Sequence, residues 1–262
     1  MMPTVEFPQL EYVMPILVVH QEDVAKSFEG TGVVVAPGLF LTCWHCVRTP
    51  LSDGEYYAAV HMPNAERGPL RILDLLNITQ DESGLDVALA NIRHSPPEVL
   101  RFDDSPSVFG EDIWTWAYRD DGRTPAGVAV TPRLLKGYIT RPFKHQTPFG
   151  ITNAFELDLP APAGTSGAPI FRGRTNRLMG LIYGEVETYS ITDFERVHTE
   201  TGQREPEVRK IVSFAVAHRT ETLMNARGRP TKGLTVRDYI AGRGVSRPSV
   251  LSLKFVYTSA PS

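Results

Sequence analysis

Cysteine is nearly missing from this sequence: 262 residues carry two, Cys43 and Cys46, three positions apart. A framework of disulfides joining distant loops is thereby excluded, and thiols so scarce favour a reducing compartment, so a cytoplasmic location is expected. No run of 18 apolar residues occurs, which leaves no candidate for a membrane-spanning helix. Met1 to Leu10 contains Pro3, Glu6 and Pro8 without a basic start, so no secretory signal is expected. Neither sign of charge dominates, with 27 Lys and Arg against 30 Asp and Glu. Nucleic acid and an acidic membrane surface are therefore not expected as partners. What remains is a chain with 42% hydrophobic and 22% charged residues, the balance of a soluble globular protein. Its length suits two domains of ordinary size or one large one.

The most informative stretch is Gly164-Thr165-Ser166-Gly167-Ala168-Pro169, a serine between two glycines ahead of the apolar pair Ile170-Phe171. The glycines let the chain fold sharply around Ser166 and direct neighbouring N–H groups into one concavity. Such a concavity can hold an oxyanion, although an ordinary small-residue turn has the same composition. Around this stretch the pattern is β. Tyr12 to His20 is an apolar, β-branched run with Pro15 inside it, which fits an edge strand or a strand start. Gly30 to Val35, the turn Ala36-Pro37-Gly38 and Leu39 to Thr42 read as a hairpin, followed by a helical turn at Cys43 to Val47. Leu85 to Ala90 reads as a strand after the turn Asp81-Glu82-Ser83-Gly84. Asp112 to Tyr118 alternates as a strand, Arg119 to Gly127 is rich in turn residues, and Thr131 to Thr140 suggests a further hairpin. Phe155 to Leu159, Leu178 to Gly184 and Ile211 to Val216 complete the series, and Leu234 to Gly242 has helical spacing with a glycine stop. Leu251 to Tyr257 alternates like one more strand.

Three motifs in order carry a resemblance. Thr42-x-x-His45-Cys46 resembles the histidine motif of the trypsin-like (chymotrypsin-fold) serine peptidases, Asp86-Val87-Ala88-Leu89 their aspartate strand, and Gly164-x-Ser166-Gly167-x-Pro169 their serine motif. Asp86 follows His45 by 41 residues and Ser166 follows Asp86 by 80, the chain order of chymotrypsin rather than of subtilisin. The resemblance implies an all-β protein of two six-stranded antiparallel barrels with a short C-terminal helix packed on the second barrel. Residues 1–104 would form the first barrel, with His45 and Asp86, and 105–220 the second, with Ser166. Residues 221–262 would add a helix and a strand. The chain is closer to the bacterial HtrA-like branch than to the secreted trypsins. Thr165 stands where the secreted enzymes carry an aspartate for a newly cleaved N-terminus, and Phe28 lies near where a cysteine would pair with Cys46.

The resemblance further implies a serine endopeptidase acting on proteins or peptides. Ser166 is a weak nucleophile until an imidazole takes its proton, His45 has the pKa for that task, and Asp86 would fix its tautomer. The N–H groups of Gly164 and Ser166 would form the oxyanion hole, while Ala163, Tyr183, Gly184 and Phe214 would line the substrate cleft. No metal or organic cofactor is expected: Cys43-x-x-Cys46 beside His45 lacks the second ligand pair of a structural zinc site. Pro160 to Ala163 holds no carboxylate, which favours a small aliphatic P1 residue. Glu185 to Lys210 is a long insertion with seven acidic and four basic residues, read as a solvated hairpin or, over the cleft, as a means of favouring basic substrates. Two further readings stand beside the peptidase. One is a domain latent until a regulatory protein partner binds, and the other is a silent peptide-binding scaffold, against which the presence of all three triad residues argues.

Overall fold

The computed structural model describes residues 11–20, 25–62, 70–96, 99–124, 127–197 and 204–242, with side chains omitted for 124 and 188–212. The expected strand at Leu251 to Tyr257 lies outside the described residues. Among the described residues twelve strands form two closed antiparallel barrels. The first contains β1 (Val13–His20), β2 (Ala25–Ala36), β3 (Leu39–Thr42), β4 (Glu55–His61), β5 (Arg71–Gln80) and β6 (Ala88–Ile92), in the order β1-β2-β3-β6-β5-β4. The second contains β7 (Asp112–Thr124), β8 (Gly127–Thr147), β9 (Gly150–Asp158), β10 (Pro169–Arg172), β11 (Leu178–Val197) and β12 (Arg204–Arg219), in the order β10-β11-β12-β9-β8-β7. Two short helices follow, α1 (Thr220–Asn225) and α2 (Val236–Gly242). Among the described residues no helix is long and apolar enough to cross a membrane.

The twofold period of a strand decides which side chains meet. In β1, Ile16 and Val18 enter the large core shared by the barrels, while Leu17 and Val19 pack on the other face with Ala58 and Val60 of β4. β1 is an interior strand, not an edge. Its ladder with β4 begins at Ile16, so the missing N–H of Pro15 falls just before that pairing starts. The second barrel has its own interior, built from residues such as Ile113, Ile139, Leu157, Ile170 and Ile182.

The turn reading of Arg119 to Gly127 narrows to its end, where Thr124 pairs with Gly127, and the hairpin reading of Thr131 to Thr140 gives way to a long strand. β7 continues through the exposed, polar residues from Arg119 and absorbs Asp121 as a bulge between Asp120 and Gly122. β8 runs unbroken through the expected hairpin. Gly137 marks a close approach there, because a Cβ on it would collide with the Asp158 carbonyl. The acidic insertion is a hairpin, with β11 and β12 paired from Gly180↔Arg219 out to Val197↔Arg204.

The tail also departs from expectation. α1 contacts β11 and β12, but the chain then returns to the first barrel. The Arg227 N–H donates to Asp81 Oδ1 at 2.9 Å, and the Arg227 carbonyl accepts from the Glu82 N–H at 3.2 Å. Gly228 lies against Thr79 of β5 and Leu89 of β6. Leu223, Ala226, Val236 and Tyr239 are buried in the same core as the first-barrel strands. The helical tail therefore bridges the barrels instead of covering the second alone, because the backbone-binding carboxylate it needs, Asp81, stands on the first.

Between the barrels, the connecting segment is fastened by a buried cation. Arg172 at the end of β10 pairs with Asp103 Oδ2 at 3.0 Å and Glu111 Oε1 at 2.8 Å, and donates to the Ser105 carbonyl at 3.2 Å. Burial alone would raise the Asp103 carboxyl, but hydrogen bonds from Ser105 and the Arg172 charge override it and hold its pKa below the ordinary value. Arg172→Met leaves two buried carboxylates without their counter-charge, an expected loss of about 3–5 kcal/mol in urea unfolding. A loss below about 1 kcal/mol would show that other contacts hold the linker.

Candidate active site

The histidine motif sits where β3 ends. A 3-10 turn at Trp44–Cys46 follows Thr42 and leaves His45 about one-third exposed, its side chain at 30%. Asp86 lies just before β6, and β3 pairs with β6 through Thr42↔Ala88, so the two motifs are brought together by one ladder. Both carboxylate oxygens of Asp86 are spent on residue 45. His45 Nδ1 lies 2.7 Å from Oδ2, and the His45 backbone N–H donates to Oδ1 at 2.9 Å. A carboxylate on Nδ1 fixes the proton there and leaves Nε2 as the bare lone pair. Burial by itself would lower the His45 pKa, but Asp86 and Cys46 together outweigh it and raise it above the ordinary 6.5.

Ser166 comes from the second barrel and is carried to this turn by contacts with the first. The Ser166 carbonyl accepts from the Thr31 N–H at 2.8 Å and lies 3.8 Å from the Cys46 Sγ, one residue beyond His45. The Thr31 hydroxyl donates to the Gly164 carbonyl at 2.7 Å. Gly164 and Gly167 have φ of +95° and +82°, in the left-handed region. A Cβ on Gly167 would strike the Thr31 carbonyl and the Thr42 hydroxyl, so these glycines serve both turn geometry and close approach. Thr165 is buried, and its hydroxyl and N–H both bond the Pro162 carbonyl, at 2.7 and 3.1 Å. The loop is thus braced from within by the residue that replaces the secreted enzymes' aspartate.

The N–H groups of this loop divide into two sets. Those of Thr165, Gly167 and Ala168 donate to Pro162, Ile182 and Thr165. Those of Gly164 and Ser166 donate to no group among the described residues. Two neighbouring free donors in a glycine turn can bind a developing negative charge. Of the residues assigned to the cleft, Ala163 is exposed beside the loop, Gly184 faces Val216 across β11 and β12, and Phe214 pairs with Val186 and is half-buried. Tyr183 is buried, its hydroxyl 2.6 Å from His145 Nδ1 and its ring 4.2 Å from that of His218, so its ring is taken up by contacts within the protein.

Cys43 and Cys46 are free and buried. Cys43 donates to the Ile182 carbonyl at 3.2 Å and burial raises its pKa, which describes a protonated structural thiol rather than a nucleophile. One participant had no signal in the sequence. His218, fully buried on β12, lies with Nε2 3.2 Å from the Asp86 carbonyl and Nδ1 2.9 Å from the Thr152 hydroxyl. A carbonyl only accepts, so Nε2 carries the proton and Nδ1 accepts from Thr152. Its place within a strand gave no motif to read.

Burial holds the His218 pKa down at about 4. The folded state therefore resists a proton that the unfolded chain takes up near 6.5, so this contribution is complete above 6.5 and lost as pH falls to about 4. His45 works in the opposite sense: its pKa, raised to about 10, adds stability that is complete below 6.5 and is lost as pH climbs to about 10. Urea midpoints followed against pH should fall on the acid side, with His218 costing roughly 3 kcal/mol by the lower end. A His218→Gln variant with the same acid slope would show that other groups cause it.

The family model for the trypsin-like peptidase domain matches residues 30–181. No curated protein matches the chain in sequence. Solved structures do resemble it. The Rv3671c protease from M. tuberculosis, in its active form, is 15% identical with a TM-score of 0.52, over 92% of this chain and 84% of that one. The MamO protease domain from Magnetospirillum magneticum, in its apo form, is 14% identical with a TM-score of 0.50, over 82% of this chain and 95% of that one. At such identities the likeness is one of fold. The matched span, more than half of the chain, contains His45, Asp86 and the serine loop in that order, and the chain belongs to the trypsin-like peptidase family.

Proposed function

We propose that this chain is a serine endopeptidase that cleaves peptide bonds through an acyl-enzyme. In this reading Ser166 Oγ attacks the scissile carbonyl while His45 Nε2 takes its proton. The imidazolium then gives that proton to the leaving amine, and a water repeats the sequence to release the acid. Asp86 stabilises the imidazolium without being protonated. The carrying observation is the 2.7 Å contact between His45 Nδ1 and Asp86, which leaves Nε2 free to act as a base. The unpaired N–H groups of Gly164 and Ser166 support an oxyanion hole between them.

Activity without a partner is supported by the same contacts. The serine loop is pinned by Thr31 and braced by Thr165, contacts that favour a loop shaped by this chain's own residues. For the P1 side chain we favour a small aliphatic residue, since the loop enters through Pro160 to Ala163 without a carboxylate. The two free thiols are consistent with a cytoplasmic setting.

A fluorophosphonate probe should add once to the parent protein by intact mass and not at all to Ser166→Ala. Absence of the adduct on well-folded parent would sink the reading. Because His45 must be neutral to act, labelling should accelerate with pH through a midpoint above 6.5. Asp86→Asn should slow it by about 10⁴-fold. Peptide substrates ending in Val should be cleaved faster than those ending in Arg, and the reverse order would assign the selectivity to the acidic hairpin.

A further inference from the structure

We propose that Glu11, His61 and His94 form a zinc site on the first barrel, apart from the catalytic residues. Each offers one ligand atom, and the three atoms lie within 4.8 Å of one another. Glu11 stands just ahead of β1, His61 ends β4, and His94 follows β6 where the chain leaves for the second barrel. The set converges only in the fold, because its members are 50 and 83 residues apart from Glu11.

The donor chemistry is two imidazoles and a carboxylate, a combination that zinc accepts with its fourth position left to solvent. Donors around a tetrahedral zinc at about 2.0–2.1 Å stand roughly 3.3 Å apart. The His61 Nε2 to Glu11 Oε2 separation is 2.9 Å, so an ion would need only slight spreading there and a small inward movement of the third donor. His94 has the outer support of a metal-binding histidine. Its Nε2–H donates a hydrogen bond to the Glu11 backbone carbonyl at 3.0 Å, so Nδ1 carries the lone pair.

A simple ion pair between His61 and Glu11 does not account for the third member of the cluster. A second imidazole, that of His94, is brought to 4.6 Å from the first, ring centre to ring centre. A cation shared by the cluster explains why two basic side chains and one acid meet at a partly closed place. It would tie the start of β1, the end of β4 and the exit from β6 in a chain with no disulfide.

The test uses the full chain, stripped with a chelator and desalted. Zinc titrated by calorimetry, with retained metal counted by elemental mass spectrometry, should load one equivalent per chain. His94→Gln can still donate to the Glu11 carbonyl and should lose that equivalent, while fluorophosphonate labelling is unchanged. Cobalt in place of zinc should give tetrahedral visible absorption with no thiolate charge-transfer band. That last readout needs no variant, so it stands even if His94→Gln folds poorly. Failure to retain zinc would overturn the site. So would a thiolate band, or zinc that survives His94→Gln and disappears in His45→Ala, since both would place the metal on Cys43, His45 and Asp86, whose ligand atoms also cluster.

Discussion

Thr31 uses every polar group it has, and the assembled cleft depends on that use. It is fully buried on β2, where an unpaired hydroxyl, N–H or carbonyl would each cost about 1–3 kcal/mol. Its N–H goes to the Ser166 carbonyl and its hydroxyl to the Gly164 carbonyl, while the same hydroxyl accepts the Tyr118 N–H at 3.2 Å. Its own carbonyl accepts the Thr42 hydroxyl at 2.7 Å, one residue before the histidine turn begins. One threonine therefore ties the strand leading to His45, the first strand of the second barrel and the serine loop. Serine could supply the same bonds, but valine, which has the shape and not the hydroxyl, could not.

The same logic of satisfied burial extends to the aspartate. Asp86 is 3% exposed, and a carboxylate so placed must be compensated on every side. Its side chain is held by His45 from the first barrel and its carbonyl by His218 from the second. His218 is in turn fixed by Thr152 and covered by the ring of Tyr183. The orientation of His45 is thus set by both barrels. Arg172 fastens the connecting segment independently, so the cleft rests on two separate polar systems.

Residues whose chemistry lies in local sequence were legible. The glycines around Ser166 and the short hairpin before His45 announce themselves because φ above zero and tight turns restrict composition. β1 and the buried second half of β2 could be read, while the first half of β2, Ala25 to Glu29, is not buried and gave no strand signal. β5 could not: Arg71–Gln80 is buried only at Leu73 and Leu75, and its pattern is that of an exposed ribbon. The outer parts of β7 and β8 share this fate, since water tolerates turn-forming residues on a strand held by its neighbour alone. Thr31 and His218 were invisible for a different reason. Their importance lies in partners 133 and 132 residues away along the chain, Gly164 and Asp86.

The return of the tail to the first barrel has a consequence for synthesis. A chain leaving the ribosome presents β1 to β6 first, and an ordinary N-terminal domain would close at that point. Here the core that those strands enclose still lacks Leu223, Ala226, Val236 and Tyr239, and Asp81 still lacks the backbone it binds. Ser166 and its loop also emerge long after His45. The core shared by the barrels is thus complete only once residues 223–239 have been made, well after the serine loop. A chain cut before residue 223 would keep the strands of both barrels and lack this part of their shared core.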